Sequence, residues 1–576
     1  MYQFDWDVFS AGGGSRGFLR VADFIAPLKT SIVPTRGVGP ATFTRASVAY
    51  IVDWEGLLKS CVSGEARFYG ARRVQNLVGV CSENNTTITT TDTTSSTSTV
   101  TTVSLNVADT ARWYVSGGTL TLGKTYRCRA VIACATSRTV LVRAVSNAGG
   151  TAASVNLAVG PTPQIVSLIV TPSLAGVVMF GLDIRTAAGA SDTTTGTFTF
   201  TMQQIEDVSG QSNQNPSEYQ SVGVLAAPFQ GANVDGVQYF TTQNGNTVAS
   251  NVVTEATGPA IADATLRGFQ REPAQAGQLV TPTASIRGMN DAAWVKTTMT
   301  AALTSTGADG LPTSATRLTA TAGNATVIQT LVAAATSRTY SVWLRAVSVT
   351  GNIEITQDGA TWTNVAPLLN TVTYTQVSLN ATQLNASFGI RIVNNGNSVD
   401  ADFNGFEAGA VGTSPIATAG GTRAADSLAY PGSNVNTATG TAYAEVRLPV
   451  GFDPANAARY VSTDTGNAGT PLIKAAAVAT TGVGVFDGTL TATKTGLPDA
   501  TAQIVKVASA WGGSSMSATG NGLAPASQTF DGGMGDGAIV TIGASGAGVN
   551  VIYGTIRNVK LWKRDGTTQI QAITAP

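Results

Sequence analysis

Apolar and polar residues alternate along most of this chain in short runs. Examples are TYRCRAVIA from Thr125, FTFTMQQIE from Phe198, TYSVWLRAVSV from Thr339 and AYAEVRLPV from Ala442. Thr, Val, Tyr and Ile dominate them, as suits a half-buried pleated surface, and Gly, Asn, Ser and Pro bound them. A period of two predicts strands with one face inward, and many such strands in succession predict sandwiches or barrels. Helical periodicity is nearly absent. The expected class is all-β, with several tandem antiparallel β-sandwich (jelly-roll) domains. One stretch departs from the pattern. TTITTTDTTSSTSTVTT, Thr86 to Thr102, is low in complexity and reads either as an ordered edge strand or as an exposed loop.

Part of the pattern occurs twice. SRT stands at Ser137 and again at Ser337, and RAVS at Arg143 and again at Arg345. Glu206 in MQQIEDVSG matches Glu407 in FNGFEAGAV at an offset of 201 (407 less 206), each glutamate being followed by a proline turn, at Pro216 and Pro415. Aligning KTY at Lys124 with RTY at Arg338 gives 214 (338 less 124). Either register makes a unit of about 150 residues appear twice, which is domain duplication and not a solenoid. The closing part, ending VIYGTIRNVKLWKRDGTTQIQAIT, reads as a final strand and a short tail. The expected segmentation is a separate N-terminal segment at 1–45 and a first jelly roll at 46–240. A connector with a second jelly roll follows at 241–428, and a last sandwich at 429–576.

Length agrees with several domains, since 576 residues exceed what one core sustains. Charge narrows the partners. The 34 basic and 34 acidic side chains cancel, so no basic surplus is available to neutralise phosphates, and nucleic acid is not an expected partner. No apolar run reaches the length of a membrane span. The opening MYQFDWDVFS carries two aspartates and no basic n-region, unlike a secretory signal, so synthesis and folding in a cytoplasm are expected.

Chemistry is limited by the absence of histidine. Ser-His-Asp and Cys-His arrangements are impossible, and the usual zinc sites are not expected. Cys61, Cys81, Cys128 and Cys134 include no C-x-x-C pair and read as small buried hydrophobes. No carboxylate pair stands out within a motif, so no catalytic residue, metal or cofactor is assigned. The candidates that remain are aromatic. Trp294, Trp362 and Trp511 lie beside turn-forming residues and could stack on a sugar ring, whereas Trp343 and Trp562 read as core. Asp53 and Asp235 suit Asx-turns better than calcium. Arg72 and Arg73 read as a solvated pair.

Several segments resemble virion proteins of tailed bacteriophages. PATFTRASVAYIVDWEGLLKSCVSGEARFYGARRVQNLV, from Pro40, looks like a recurrent module of such proteins. QQIEDVSGQSNQNPSEYQSVGVLAAPFQGANVDGVQYF, from Gln203, and FNGFEAGAVGTSPIATAGGTRAADS, from Phe403, resemble its exits. DAAWVKTTMTAAL at Asp291 resembles the start of a carbohydrate-binding-module-like jelly roll. GTIRNVKLWKR is similar to the close of concanavalin-like and laminin-G-like sandwiches.

The resemblance implies a non-enzymatic virion structural protein, a tail fibre or tail-associated adhesin that contacts host surface glycan. A capsid decoration or head-fibre protein and a polysaccharide depolymerase are the alternatives. Its implied partners are other virion proteins, of tail or capsid, host cell-surface polysaccharide and further copies of itself, with no membrane. Assembly would take place in the host bacterial cytoplasm. Tyr2, Phe4, Trp6 and Phe9 would anchor it, and Phe403 and Phe406 would plug the second sandwich.

Overall fold

The computed structural model describes residues 21–71, 112–216 and 265–576 apart from short internal stretches, together with strand residues 93–96, 100–105, 240–243 and 246–249. Strands make up 48% and helix 4%, and among the described residues every pairing between strands is antiparallel, so the expected all-β class of packed sheets is what the chain forms. Within the threonine-rich stretch, Thr93–Ser96 and Val100–Leu105 are strands paired with each other.

The duplication is one of topology. The first sandwich has a five-stranded sheet in the order Gln164–Val170, Tyr126–Cys134, Gly196–Asp207, Val100–Leu105 and Thr93–Ser96. The second has Thr375–Gln383, Thr336–Ser348, Ser398–Ala408, Ala315–Ala320 and Met299–Ser305 in the same order. The facing sheets correspond as well. Thr151–Val159, Arg138–Ser146, Gly176–Ile184 and Arg112–Leu120 match Thr363–Asn364, Ile353–Thr356, Ser387–Ile392 and Ala325–Thr330, and the second copy adds Val295–Thr297. Both sequence offsets have a structural counterpart. An offset of 214 superposes Tyr126 on Tyr340 in matching strands, and 201 brings Glu206 to Glu407 in the strands paired with them. Two strands are much shorter in the second copy, Ile353–Thr356 and Thr363–Asn364 standing against Arg138–Ser146 and Thr151–Val159.

The third sandwich is not contiguous in sequence. Its large sheet runs Ala526–Thr529, Ser515–Gly520, Val505–Gly512, Gly440–Arg447 and Gly554–Trp562, and is then extended by Gly268–Arg271 and Phe68–Tyr69. Phe24–Ala26 pairs with the far half of Gly554–Trp562, Phe24 opposite Leu561. In the facing sheet Thr42–Thr44 lies beside Ser427–Pro431. Residues assigned from sequence to an anchoring segment, to the first jelly roll and to the connector therefore complete the last sandwich. Phe24, Phe68 and Phe269 share one core with Tyr430, Trp511 and Ile556. Gly268 has φ +107, and a Cβ there would lie 2.4 Å from the Ile556 carbonyl oxygen, so this crossing requires glycine.

A hairpin, Ala49–Val52 with Leu58–Cys61, links the first two sandwiches. Leu58 N donates to Ala308 O (2.8 Å), and Lys59 Nζ to Ser209 O (3.1 Å). Beside it Gly210 and Gly310 meet back to back, where a Cβ on Gly210 would stand 2.8 Å from Gly310 Cα.

Candidate functional site

The two sheets of the second sandwich present unlike outer faces. Along Ser398–Ala408, Val399, Ala401 and Phe406 enter the core, yet the opposite side is buried as well. Arg287 donates to Asp402 from Nε (2.9 Å) and Nη2 (2.7 Å) and pairs with Asp309 at 2.8 Å. Glu407 accepts from Gln275 Nε2 (3.1 Å) and Thr413 Oγ1 (2.6 Å). Phe406 stacks on Phe388 at 4.2 Å, as a core plug should. Phe403 also belongs to this buried core, as expected, but reaches it differently. Its φ of +44 breaks the alternation, and its ring packs against Tyr50 (5.3 Å) with the Arg287 guanidinium 4.3 Å from its centre. The connector and the hairpin thus seal this face.

The other sheet is open. Pairing places Thr297, Thr326, Arg391, Glu354 and Asn364 in one cross-strand row. Inward neighbours Ile353, Ile355, Ile390 and Ile392 are buried, so alternation turns this row outward. Arg391 Nε donates to Glu354 Oε2 (2.6 Å), with the ion pair at 2.5 Å. Asn352 Nδ2 donates to Glu354 Oε1 (3.2 Å), and Asn364 Nδ2 to Asn352 Oδ1 (3.3 Å). The Arg391 guanidinium lies 4.6 Å from the centre of the half-buried Trp362 ring.

The turn before Trp362 is fixed by Asp358. Its Oδ1 accepts from Ala360 N (2.8 Å), Thr361 N (2.6 Å) and Thr356 Oγ1 (3.0 Å). Burial works against the ionised carboxyl, but these donors hold its pKa down at about 2, so the turn stays charged and ordered at neutral pH. Such a face offers an aromatic surface, amide donors and acceptors, and a charge already paired.

The remaining tryptophans lie elsewhere. Trp294 is 1% exposed, donates from Nε1 to Ser285 O (3.1 Å) and meets Phe388 edge-on at 5.7 Å. Trp511 is fully buried and donates to Asn436 O (3.1 Å). Neither is a surface platform. The polar turns that suggested exposure sit beside them, while the indoles themselves fold inward. Trp343 and Trp562 are core. Tyr2, Phe4, Trp6, Phe9, Arg72, Arg73, Cys81 and Asp235 lie outside the described residues.

Asp53 makes the expected turn, Oδ1 accepting from Glu55 N and Leu57 N at 2.9 Å each. Burial pushes its carboxyl up to about 6, against the pull of Lys59. Cys61, Cys128 and Cys134 are buried, and burial raises the Cys128 thiol to about 12. Among the described residues no cluster of three or more His, Cys, Asp or Glu side chains is placed to hold a metal ion.

The sequence reading gave no role to a buried ionic network built from the quoted motifs. Arg45 of FTRAS pairs with Asp426 of TRAAD at 3.0 Å. Arg67 of ARF pairs with Glu272 at 2.8 Å and also with Asp426. Arg423 pairs with Glu272, which further accepts from Ser414 N (2.8 Å) and Ser414 Oγ (2.7 Å). Burial would raise the Glu272 carboxyl, but Arg423 and Arg67 outweigh it and hold the group well below the usual carboxylate range. With side chains 0–7% exposed, the network is a buried joint between the second and third sandwiches. The motif residues were visible in the sequence, but which of them pair, across 151 to 381 positions, was not.

No protein-family model matches the chain, and no curated protein matches it. Among solved structures, one described as "CBM4 structure and function" aligns at 16% identity over 19% of this chain and 70% of that one, with TM-score 0.16. The M60 catalytic domain with the CBM51-1 and CBM51-2 domains from Clostridium perfringens ZmpB aligns at 8% identity, covering 65% of this chain and 44% of that one, with TM-score 0.15. The coconut allergen cocosin aligns at 9% identity, covering 61% and 86%, with TM-score 0.12. At these TM-scores the likenesses carry no argument about this chain.

Proposed function

We propose that this chain is a non-enzymatic structural protein of a tailed-bacteriophage virion, a tail fibre or tail-associated adhesin that meets host surface glycan through the open face of its second sandwich. The observation that carries the glycan reading is the half-buried Trp362 beside Arg391 and the exposed amides of Asn352 and Asn364 on an uncovered sheet face. An indole suits the C–H face of a pyranose, and amides suit its hydroxyls. The virion reading rests on the motif resemblance. The buried joint formed by those motif residues supports a stiff arm, and many copies would turn weak single contacts into firm attachment.

Intact particles labelled with antibody against residues 295–408 test the location, and purified protein incubated with host polysaccharide tests the chemistry. Label on the tail and a polymer of unchanged length are expected. Label over the capsid would favour the decoration alternative, and release of short oligosaccharides would favour the depolymerase.

A further inference from the structure

We propose that Glu354 sets the charge class of the glycan, making the Trp362 face a receptor for neutral sugars and not for uronates or sialylated polymers; this rests on the glycan-binding reading above. A guanidinium beside an aromatic ring would ordinarily invite a carboxylate, because Arg forms strong bidentate pairs with one. Here that capacity is already used. Glu354 lies directly across the strand pair from Arg391, its Oε2 accepts from Arg391 Nε at 2.6 Å, and its side chain is only 9% exposed. Its other oxygen accepts from Asn352 (3.2 Å), which fixes the rotamer that faces the arginine. An acidic sugar approaching Trp362 would have to displace this carboxylate or sit beside it, and like charges at that distance repel. A neutral sugar meets the indole and the exposed amides of Asn352 and Asn364 at no such cost.

The test is affinity electrophoresis of the purified chain through gels containing galactomannan, a neutral polymer, or alginate, a polyuronate. Wild type is expected to be retarded by galactomannan and not by alginate. Glu354→Gln, which keeps an amide in reach of Asn352 but frees Arg391, is expected to gain alginate affinity by about tenfold or more, the worth of one charge-assisted hydrogen bond. Stronger retardation of wild type by alginate, abolished by Arg391→Met, would overturn the inference while leaving the platform reading intact. Retardation by neither polymer, with Trp362→Ala equal to wild type, would overturn the reading on which the inference rests. If Glu354→Gln loses its cooperative melt, the wild-type preference between the two polymers decides alone.

Discussion

The first and second sandwiches share a strand order, yet they are built and fastened differently. Among the described residues the first core is lined by small groups such as Cys128, Ala130, Val140 and Val142, with Tyr126 and Phe180 its buried aromatics. The second is filled by Trp294, Tyr340 and Phe406, each in contact with Phe388. The first is tied to its neighbours by contacts at one end, among them Lys59 on Ser209 and the approach of Gly210 to Gly310. The second is joined to the third by fully buried charges. Strand order is thus set by alternation, which both copies keep, while rigidity depends on what fills and seals each unit.

Breaking the buried joint should have the largest effect. Glu272→Ala would leave Arg67 and Arg423 short of their acid and should destabilise the second and third sandwiches by about 3–5 kcal/mol, read from a denaturant midpoint. A loss under about 1 kcal/mol would mean that the joint carries no weight. Next come the two cores. Phe388→Ala removes the ring that three aromatics touch and should cost about 3–4 kcal/mol, whereas Cys128→Ala in the first core should cost about 1 kcal/mol. Equal losses would erase the contrast.

The hairpin between the units adds a pH test. Asp53 has a folded pKa of about 6 against 3.8 in the unfolded chain, so the folded state binds this proton more tightly. Its contribution is full below the unfolded value and is lost as pH rises toward 6, by up to about 3 kcal/mol at about 1.4 kcal/mol per pKa unit. Asp53→Asn should therefore be more stable than wild type near pH 7.5, and the gap should close toward about pH 4. A gap constant with pH would contradict the assignment. The smallest effect should come from Lys124→Met, which removes the part-exposed pair with Asp207 and should change stability by about 1 kcal/mol or less.

The sequence made the strands of the two copies legible, because Tyr340, Val342 and Leu344 alternate in the same way as Tyr126, Cys128 and Ala130. It did not make the third sandwich legible as a whole. Phe24–Ala26 and Phe68–Tyr69 are too short to carry a period, and their partners, Leu561 to Val559 and Gly268 to Phe269, lie far along the chain. The site was partly legible. Trp362 could be named, but Trp294 and Trp511 could not be told from it, because a polar turn flanks all three and only packing decides which indole stays outside. Arg391 and Glu354 were hidden, since their pairing depends on a register between strands 37 residues apart.

The central claim is that the open face around Trp362 holds glycan. Retention of purified protein on immobilised host surface polysaccharide, wild type against Trp362→Ala, tests it most directly. The account predicts a weakening of roughly 1–3 kcal/mol, by analogy with stacking of bases on aromatic side chains, at unchanged melting behaviour. Equal retention of the two proteins would contradict it.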